Sequence, residues 1–345
     1  MLASVGVCFT FAHNNIYLSA KYLYIFDVLL TIKYVQRGEM MLIRRLVKAG
    51  QSSHTVSLPK NWIEKNNLKK GDIVYLNENS EKELMITPES KPETPIETKE
   101  TTIIIDNKEL STIQREITSA YINNFGTITL IGNSLTSKVK DIRNMLHDFV
   151  ALEISEQTAK QIIAKDLLNL KEISIEKTVR RMDMIVRSML QDGKAAIENP
   201  ELADSVILRD CEVNRSYFLL MRLLKSSLNH KQIADFFNIK SNKVLSYWAL
   251  VVNLENFADY AKNFATIFKK DKKAAVATGI YEKIEKSFTS VMKAYYTEDK
   301  KLAEKISLER PELMDETSKL ASEYSELLKN MITLVNNIAK QVIDE

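Results

Sequence analysis

The spacing of apolar residues changes twice along the chain and divides it into three regions. Between residues 42 and 86, apolar and polar residues alternate in short runs that end at turn residues. This pattern predicts β-strands joined by tight turns. One short helix follows Pro59, since proline is tolerated in the first turn of a helix. The predicted strands cover residues 42–48, 54–58, 73–76 and 83–86, and the helix covers residues 60–66.

Between residues 101 and 168, short apolar runs alternate with amphipathic stretches, which predicts a small α+β domain. Ser134 stands at the start of the second amphipathic stretch and belongs to a residue type that caps helices. The predicted strands cover residues 102–105, 127–131, 152–156 and 161–166, and the helices cover residues 109–124 and 134–150.

From residue 173 onward, apolar residues recur every three or four positions, which predicts helices throughout. Breaks are expected near Pro200, Asn238 and Lys272. The simplest interpretation is two copies of a three-helix unit, the second less regular than the first. The predicted helices are 174–198, 201–229 and 240–269, followed by 272–297, 299–330 and 331–343.

Residues 231–244 have the spacing of a helix-turn-helix, but we interpret them as part of a helical bundle. The turn carries Phe237 and Asn238, where a glycine is customary. The helix that follows has a continuous apolar stripe, which suits a bundle core, whereas a recognition helix needs a polar face for the DNA groove. The stripe consists of Val244, Tyr247 or Trp248, Val251, Leu254, Ala258, Ala261, Ala265 and Phe268.

The composition argues against several classes of site. Only two cysteines occur, Cys8 and Cys211, and the four histidines are scattered, so neither a zinc site nor a disulfide framework is supported. The eight glycines form no phosphate-binding loop and no dinucleotide fingerprint. We therefore expect no enzymatic activity, and the low cysteine content fits a reducing, cytoplasmic location.

Two segments are expected to lie outside the folded domains. Residues 16–32 are apolar but include Lys21 and Asp27, and they fall short of the ~20 apolar residues of a spanning helix, so no membrane insertion is expected. Since the strand pattern begins at residue 42, we expect translation to start at Met40 or Met41, with residues 1–40 a non-native N-terminal extension. Residues 88–100 hold three of the six prolines and predict a linker.

Basic residues concentrate in the first region. Residues 41–72 contain seven lysines and arginines against Glu64 and Asp72, although the net charge of the whole chain is only +3. A short basic module of this kind points to a polyanionic partner.

The run VSLPKNW followed by LKKGDIV resembles the AbrB/MazE/SpoVT family of swapped-hairpin DNA-binding proteins. The resemblance implies a homodimer whose hairpins interleave, with basic residues of the first strand and turn lying against DNA. A unit of about 45 residues buries too little apolar surface alone, which also favours a dimer. The implied DNA-binding residues are Arg44, Arg45, Lys48, Ser53, Ser57 and Lys60. The expected shared core consists of Val47, Val56, Leu58, Trp62, Ile63, Leu68, Ile73 and Val74.

The runs RDCEVNRSYFLLMRLL and LVVNLENFADYAKNFA resemble PhoU, the helical regulator of phosphate uptake. Together the regions look like an archaeal phosphate-uptake-regulator family. The expected fold is multidomain and mainly α: a small β swapped-hairpin domain, a small α+β domain, and PhoU-like three-helix-bundle repeats. The expected boundaries are 41–87 for the hairpin domain, 101–170 for the α+β domain and 171–345 for the bundle.

Four polar residues of the bundle are candidate metal ligands, because PhoU relatives carry paired acids that bind metal clusters. Glu255 and Asp259 keep that motif on one helix face, and Asp210 and Asn214 occupy the matching positions one helix earlier. Asp210 also falls on an apolar seam, where a carboxylate needs a partner. Two alternatives are open: a divalent metal ion held by oxygen ligands, or an arginine such as Arg180, Arg181 or Arg215.

The sequence as a whole predicts a DNA-binding transcriptional regulator of phosphate uptake that works with a phosphate transporter or signalling protein. Two alternatives are a PhoU-like signalling adaptor whose hairpin only dimerises, and an antitoxin-type regulator.

Overall fold

The computed structural model describes residues 44–49, 53–80, 83–88 and 99–345, except for the side chains of residues 77–80, 83, 272 and 273. The chain divides after residue 93 into two units. The extension expected at residues 1–40 and most of the predicted linker lie outside the described residues.

The first unit contains two short hairpins and one short helix. Strand β1 (Val47–Lys48) pairs antiparallel with β2 (His54–Thr55), helix α1 covers Lys60–Lys65, and β3 (Tyr75–Ser80) pairs antiparallel with β4 (Glu83–Thr87). The order of elements is the predicted one. However, β1 and β2 are shorter than predicted, because their flanking residues find no partner strand within the described part of this single chain.

The second unit begins with an α+β region whose first strand, β5 (Lys99–Ile104), starts inside the segment predicted as linker. Its sheet has the order β5-β6-β8-β7, with β5 and β6 parallel and the other pairs antiparallel. Its other elements are α2 (Leu110–Ile122), β6 (Phe125–Ile131), α3 (Leu135–His147), β7 (Leu152–Gln157) and β8 (Gln161–Asp166).

Ser134 is the N-cap residue of helix α3, as predicted, but its side chain binds Asp106. The side chain of Ser134 makes no capping hydrogen bond to the helix and donates its hydroxyl hydrogen to Asp106 at 2.9 Å. The Asp106 carboxylate also accepts from the backbone N–H groups of Asn133 and Ser134, at 3.0 and 2.9 Å, and these bonds lower its pKa. The sequence could not show this contact, because Asp106 lies 28 residues earlier, in the turn after β5.

The remaining chain forms two three-helix bundles, which confirms the predicted mainly α fold. In the first bundle, α4 (Ile175–Ala195), α5 (Glu201–Asn229) and α7 (Ser241–Lys270) pack against one another, with the short helix α6 (Lys231–Phe236) against α5. In the second, α8 (Thr278–Thr297), α9 (Lys300–Ser318) and α10 (Ser322–Asp344) do the same. Helix α4 contacts α8, and α7 contacts α10, so the bundles share a core.

The last helix boundary differs from the prediction. The sequence predicts helices at residues 299–330 and 331–343, whereas the chain leaves the helical conformation around Ala321, whose backbone is extended. Neither glycine nor proline marks this break, and Pro311, a typical helix breaker, lies inside α9. The residue types that usually end a helix are therefore absent at this break.

The segment with helix-turn-helix spacing belongs to the bundle, as predicted. Val244 and most of the apolar stripe behind it are buried in the core. Asn238 adopts a φ of 48°, the left-handed conformation that glycine usually provides and asparagine tolerates.

Buried polar contacts fasten the α+β region to helix α5. The guanidinium group of Arg222 is 3% exposed and donates to Asn124 Oδ1 at 2.9 Å and to both carboxylate oxygens of Asp166. It lies 4.8 Å from the ring centroid of Tyr121, whose pKa is raised by burial to about 12. Bidentate pairs of this kind are geometrically specific, so they fix the orientation of the sheet on the helix.

Among the described residues, no helix combines the length and the apolar character that crossing a lipid bilayer requires.

Candidate functional site

The predicted DNA-contacting cations of the first unit lie on strand β1 and on the residues just before it. Arg44, Arg45 and Lys48 are all exposed, and Lys48 stands directly opposite His54 in the β1–β2 ladder. The backbone N–H of Ala49 donates to the carbonyl of Ser53 at 2.9 Å, and the Ser53 hydroxyl donates back to the Ala49 carbonyl. These bonds join Ala49 to Ser53 and leave the Ser53 hydroxyl oxygen able to accept a further hydrogen bond.

The other predicted DNA-binding residues follow along the chain. Ser57 and Lys60 are exposed, and Lys60 makes an ion pair with Glu64 at 3.6 Å, one helical turn later. Among the described residues, no ion pair includes Arg45 or Lys48. The arrangement thus presents cations and hydroxyl groups on one short stretch, which suits contacts to phosphate oxygens.

The expected core of the hairpin unit is not buried within one chain. Of its eight predicted members, Val47, Val56 and Ile73 are exposed and the other five are only half-buried. Leu46, Leu76 and Leu84 are exposed as well. Such a concentration of exposed apolar side chains in so small a unit is typical of an interaction surface.

The predicted acidic residues of the bundle meet at the contact between α5 and α7. Asp210 is 6% exposed and lies, as predicted, on the apolar seam of α5. The side-chain amide of Asn214 donates to Asp210 Oδ2 at 3.1 Å. The ammonium group of Lys262 donates to the same oxygen at 2.7 Å and to Asp259 Oδ1 at 2.8 Å. Lys262 therefore bridges the two helices.

Two stretches of the chain match known families. Residues 179–268 match the family model of the PhoU domain. Residues 47–94 match the family model described as antidote-toxin recognition MazE, bacterial antitoxin. The chain therefore contains a stretch similar to the MazE-type domain and, further along, a stretch similar to the PhoU domain. No curated protein and no solved structure matches the chain.

The PhoU match covers the first bundle, from α4 to α7, and contains all four predicted acidic-site residues. The MazE-type match contains β1, β2 and most of the exposed apolar residues, and it begins just after Arg44, Arg45 and Leu46. Both families are regulatory rather than catalytic. These matches confirm the expected combination of a PhoU bundle with an N-terminal hairpin of the antitoxin and DNA-binding type.

A lysine pairs with Asp210 in the PhoU-like region, whereas the sequence analysis considered an arginine or a metal ion. Arg180 pairs instead with Glu176 at 3.0 Å, and Arg181 pairs with Glu212 at 3.1 Å. The sequence contained a usable signal, because Lys262 follows Asp259 by three residues and so lies on the same helix face.

Glu255, the fourth predicted ligand, is almost completely buried, on the α7 turn preceding Asp259. Within the described part of the chain, no three acidic, histidine or cysteine side chains converge in a way that would hold a metal ion. The geometry brings together Asp210, Asn214 and Asp259, with an ammonium group among them.

Proposed function

We propose that this chain is a DNA-binding transcriptional regulator of phosphate uptake in the cytoplasm. The PhoU domain senses the state of a phosphate transporter or of a signalling protein, and the MazE-type domain binds DNA as a homodimer. The observation that carries the proposal is the exposed basic strand and turn of a hairpin unit that is joined to a PhoU domain.

The dimer follows from the exposed apolar residues of the hairpin unit. Val47, Val56 and Ile73 are open to solvent in one chain, although the domain has too few residues to leave such side chains outside a core. Pairing with a second copy removes them from water and supplies the strand partners that β1 and β2 lack within the described residues.

The basic strand then contributes the DNA contacts. Arg44, Arg45 and Lys48 neutralise the charges of DNA phosphates. Ser53 and Ser57 donate or accept hydrogen bonds at the DNA backbone or at base edges. Lys60 adds charge at the start of α1. Such contacts release counterions, so binding must weaken as salt is added.

The salt dependence of DNA binding tests the assignment. In the full-length protein, R44A/R45A should weaken binding to every DNA sequence. It should also reduce the slope of log K against log salt by about 2 per chain, since each lost phosphate contact removes about 0.9. Binding is measured by fluorescence anisotropy across a salt series.

The matched control is K69A/K70A. Lys69 and Lys70 are two exposed cations at the other turn of the same small domain, so this variant removes the same charge from a different place. It should change the slope by less than R44A/R45A does. Equal slopes for R44A/R45A and the parent protein would refute the assignment of this strand to DNA.

Two other functions make different predictions. A signalling adaptor whose hairpin only dimerises would show no salt-dependent retention on DNA. An antitoxin-type regulator is favoured by the family description of residues 47–94 and would bind a toxin tightly. The long ordered bundle argues against it, because toxin-neutralising tails are usually short and disordered.

A further inference from the structure

An ammonium group occupies the centre of the acidic site in the PhoU domain. Lys262 Nζ lies 2.7 Å from Asp210 Oδ2 on α5 and 2.8 Å from Asp259 Oδ1 on its own helix. Each of these distances is that of a charge-assisted hydrogen bond. The amine therefore bridges the two carboxylates that a metal ion at this site would have to share.

Burial makes the contact between Lys262 and Asp210 strong, and the hydrogen bonds of Lys262 keep it charged. Asp210 is nearly buried, and a carboxylate removed from water needs an opposite charge close by. Burial by itself lowers the pKa of Lys262, but the hydrogen bonds to Asp210 and Asp259 outweigh that effect and raise the pKa above its usual 10.5. The lysine is therefore protonated throughout the neutral pH range.

The surrounding ligands are arranged for an ammonium group and do not fit a metal ion. Asn214 turns its amide nitrogen, a donor, toward Asp210 Oδ2, whereas a metal ion would require its oxygen. The Asp210 oxygen that accepts from Asn214 is the one that also accepts from Lys262. A divalent cation placed here would meet a positive charge and an N–H group.

We infer that Lys262 is the built-in counter-cation of this PhoU domain: its amine stands where a divalent metal ion would bind between α5 and α7, and it makes the domain independent of metal. The acidic face is thus a structural lock between two helices. Removal of the amine should convert it into a site for a hard, oxygen-binding cation such as Mn²⁺.

The variant K262M tests the inference in the full-length protein. It keeps the length of the side chain but removes its charge, so Asp210 is left buried without its ammonium partner. In the absence of metal, Tm should fall by roughly 5 °C. Addition of Mn²⁺ should restore much of that loss, because the cation binds only the folded state. Parent protein should show no Mn²⁺-dependent change in Tm.

The variant K269M is the matched control. Lys269 pairs with Asp204 at 2.6 and 2.8 Å across the same two helices, but this pair is largely exposed. Exposed pairs contribute little to stability. K269M should therefore melt close to the parent protein and should not respond to Mn²⁺.

A second variant keeps the test decisive if K262M folds poorly. In D210N/K262M neutral side chains replace both the buried carboxylate and the amine. This variant should therefore fold without metal, and Mn²⁺ should not change its Tm. Mn²⁺ bound per chain is counted by equilibrium dialysis for every variant that folds. Either of two results would overturn the inference: Mn²⁺ stabilises the parent protein and D210N abolishes that gain, or K262M folds and is insensitive to Mn²⁺.

Discussion

A second buried carboxylate, Asp183, is only partly compensated by its partner. Asp183 on α4 pairs with Arg187 through hydrogen bonds of 2.8 and 3.1 Å. Burial raises its pKa more than Arg187 and Tyr296 lower it, so the pKa stays above the usual 3.8. A carboxyl group whose pKa is raised by folding stabilises the fold when protonated, and that contribution is lost as the pH rises above 3.8.

The sign of this shift predicts an asymmetry between the two partners. At pH 7, D183N should not lower the free energy of unfolding, because it replaces a poorly solvated charge by a neutral side chain of the same shape. In contrast, R187M should lower it by about 2 kcal/mol, since it leaves the carboxylate unpaired. Urea denaturation measures both variants.

At acid pH the R187M substitution should lower the free energy of unfolding by less, because Asp183 becomes protonated and no longer needs the guanidinium group. The difference between R187M and the parent protein should therefore be smaller at pH 4 than at pH 7. If D183N lowered the free energy of unfolding at pH 7 as much as R187M does, the raised pKa of Asp183 would be contradicted.

At the scale of elements, sequence patterns predict most of this fold because the helices and strands have regular apolar spacing. The second bundle shows the limit. The break near Ala321 has no glycine or proline, so no local residue type marks it. The contact of Asp106 with the start of α3 and the pairing of Lys262 with Asp210 were missed because each joins residues on different elements.

The contact between the α+β region and α5 is expected to depend on one arginine. R222M should lower the free energy of unfolding by about 3 kcal/mol, because it leaves Asp166 and Asn124 without their buried partner. Hydrogen exchange should show the largest loss of protection in β8 and the facing turns of α5.

Arg209 provides the control on the same helix. It pairs with Asp192 on α4, and both side chains are about a third exposed. R209M should therefore lower the free energy of unfolding by less than about 1 kcal/mol, because exposed ion pairs contribute little to stability. If R222M and R209M lowered the free energy of unfolding equally, the contact of Arg222 with Asp166 and Asn124 would not be what holds the sheet on α5.

At the scale of the whole molecule, the exposed apolar side chains of the hairpin unit predict the assembly. Ile73 is 70% exposed in one chain, so I73K should leave that chain folded but should break the homodimer. Leu208 on α5 is equally exposed, at 70%, and L208K should leave the dimer intact. Analytical ultracentrifugation of the full-length variants distinguishes the two results. A dimer that survives I73K at low concentration would place the dimer interface elsewhere.

Helix α5 carries both Asp210 and Arg222, which lie twelve residues apart, or about 18 Å along its axis. A continuous helix is stiff over this distance, so the two contacts share one rigid body. If a ligand of the bundle shifts α5 against the sheet, it changes the binding free energy of a ligand of the sheet. Thermodynamic linkage requires the reverse effect to have the same size and sign. A partner that shifts α5 at one of these two contacts will therefore change the affinity of a partner that binds at the other.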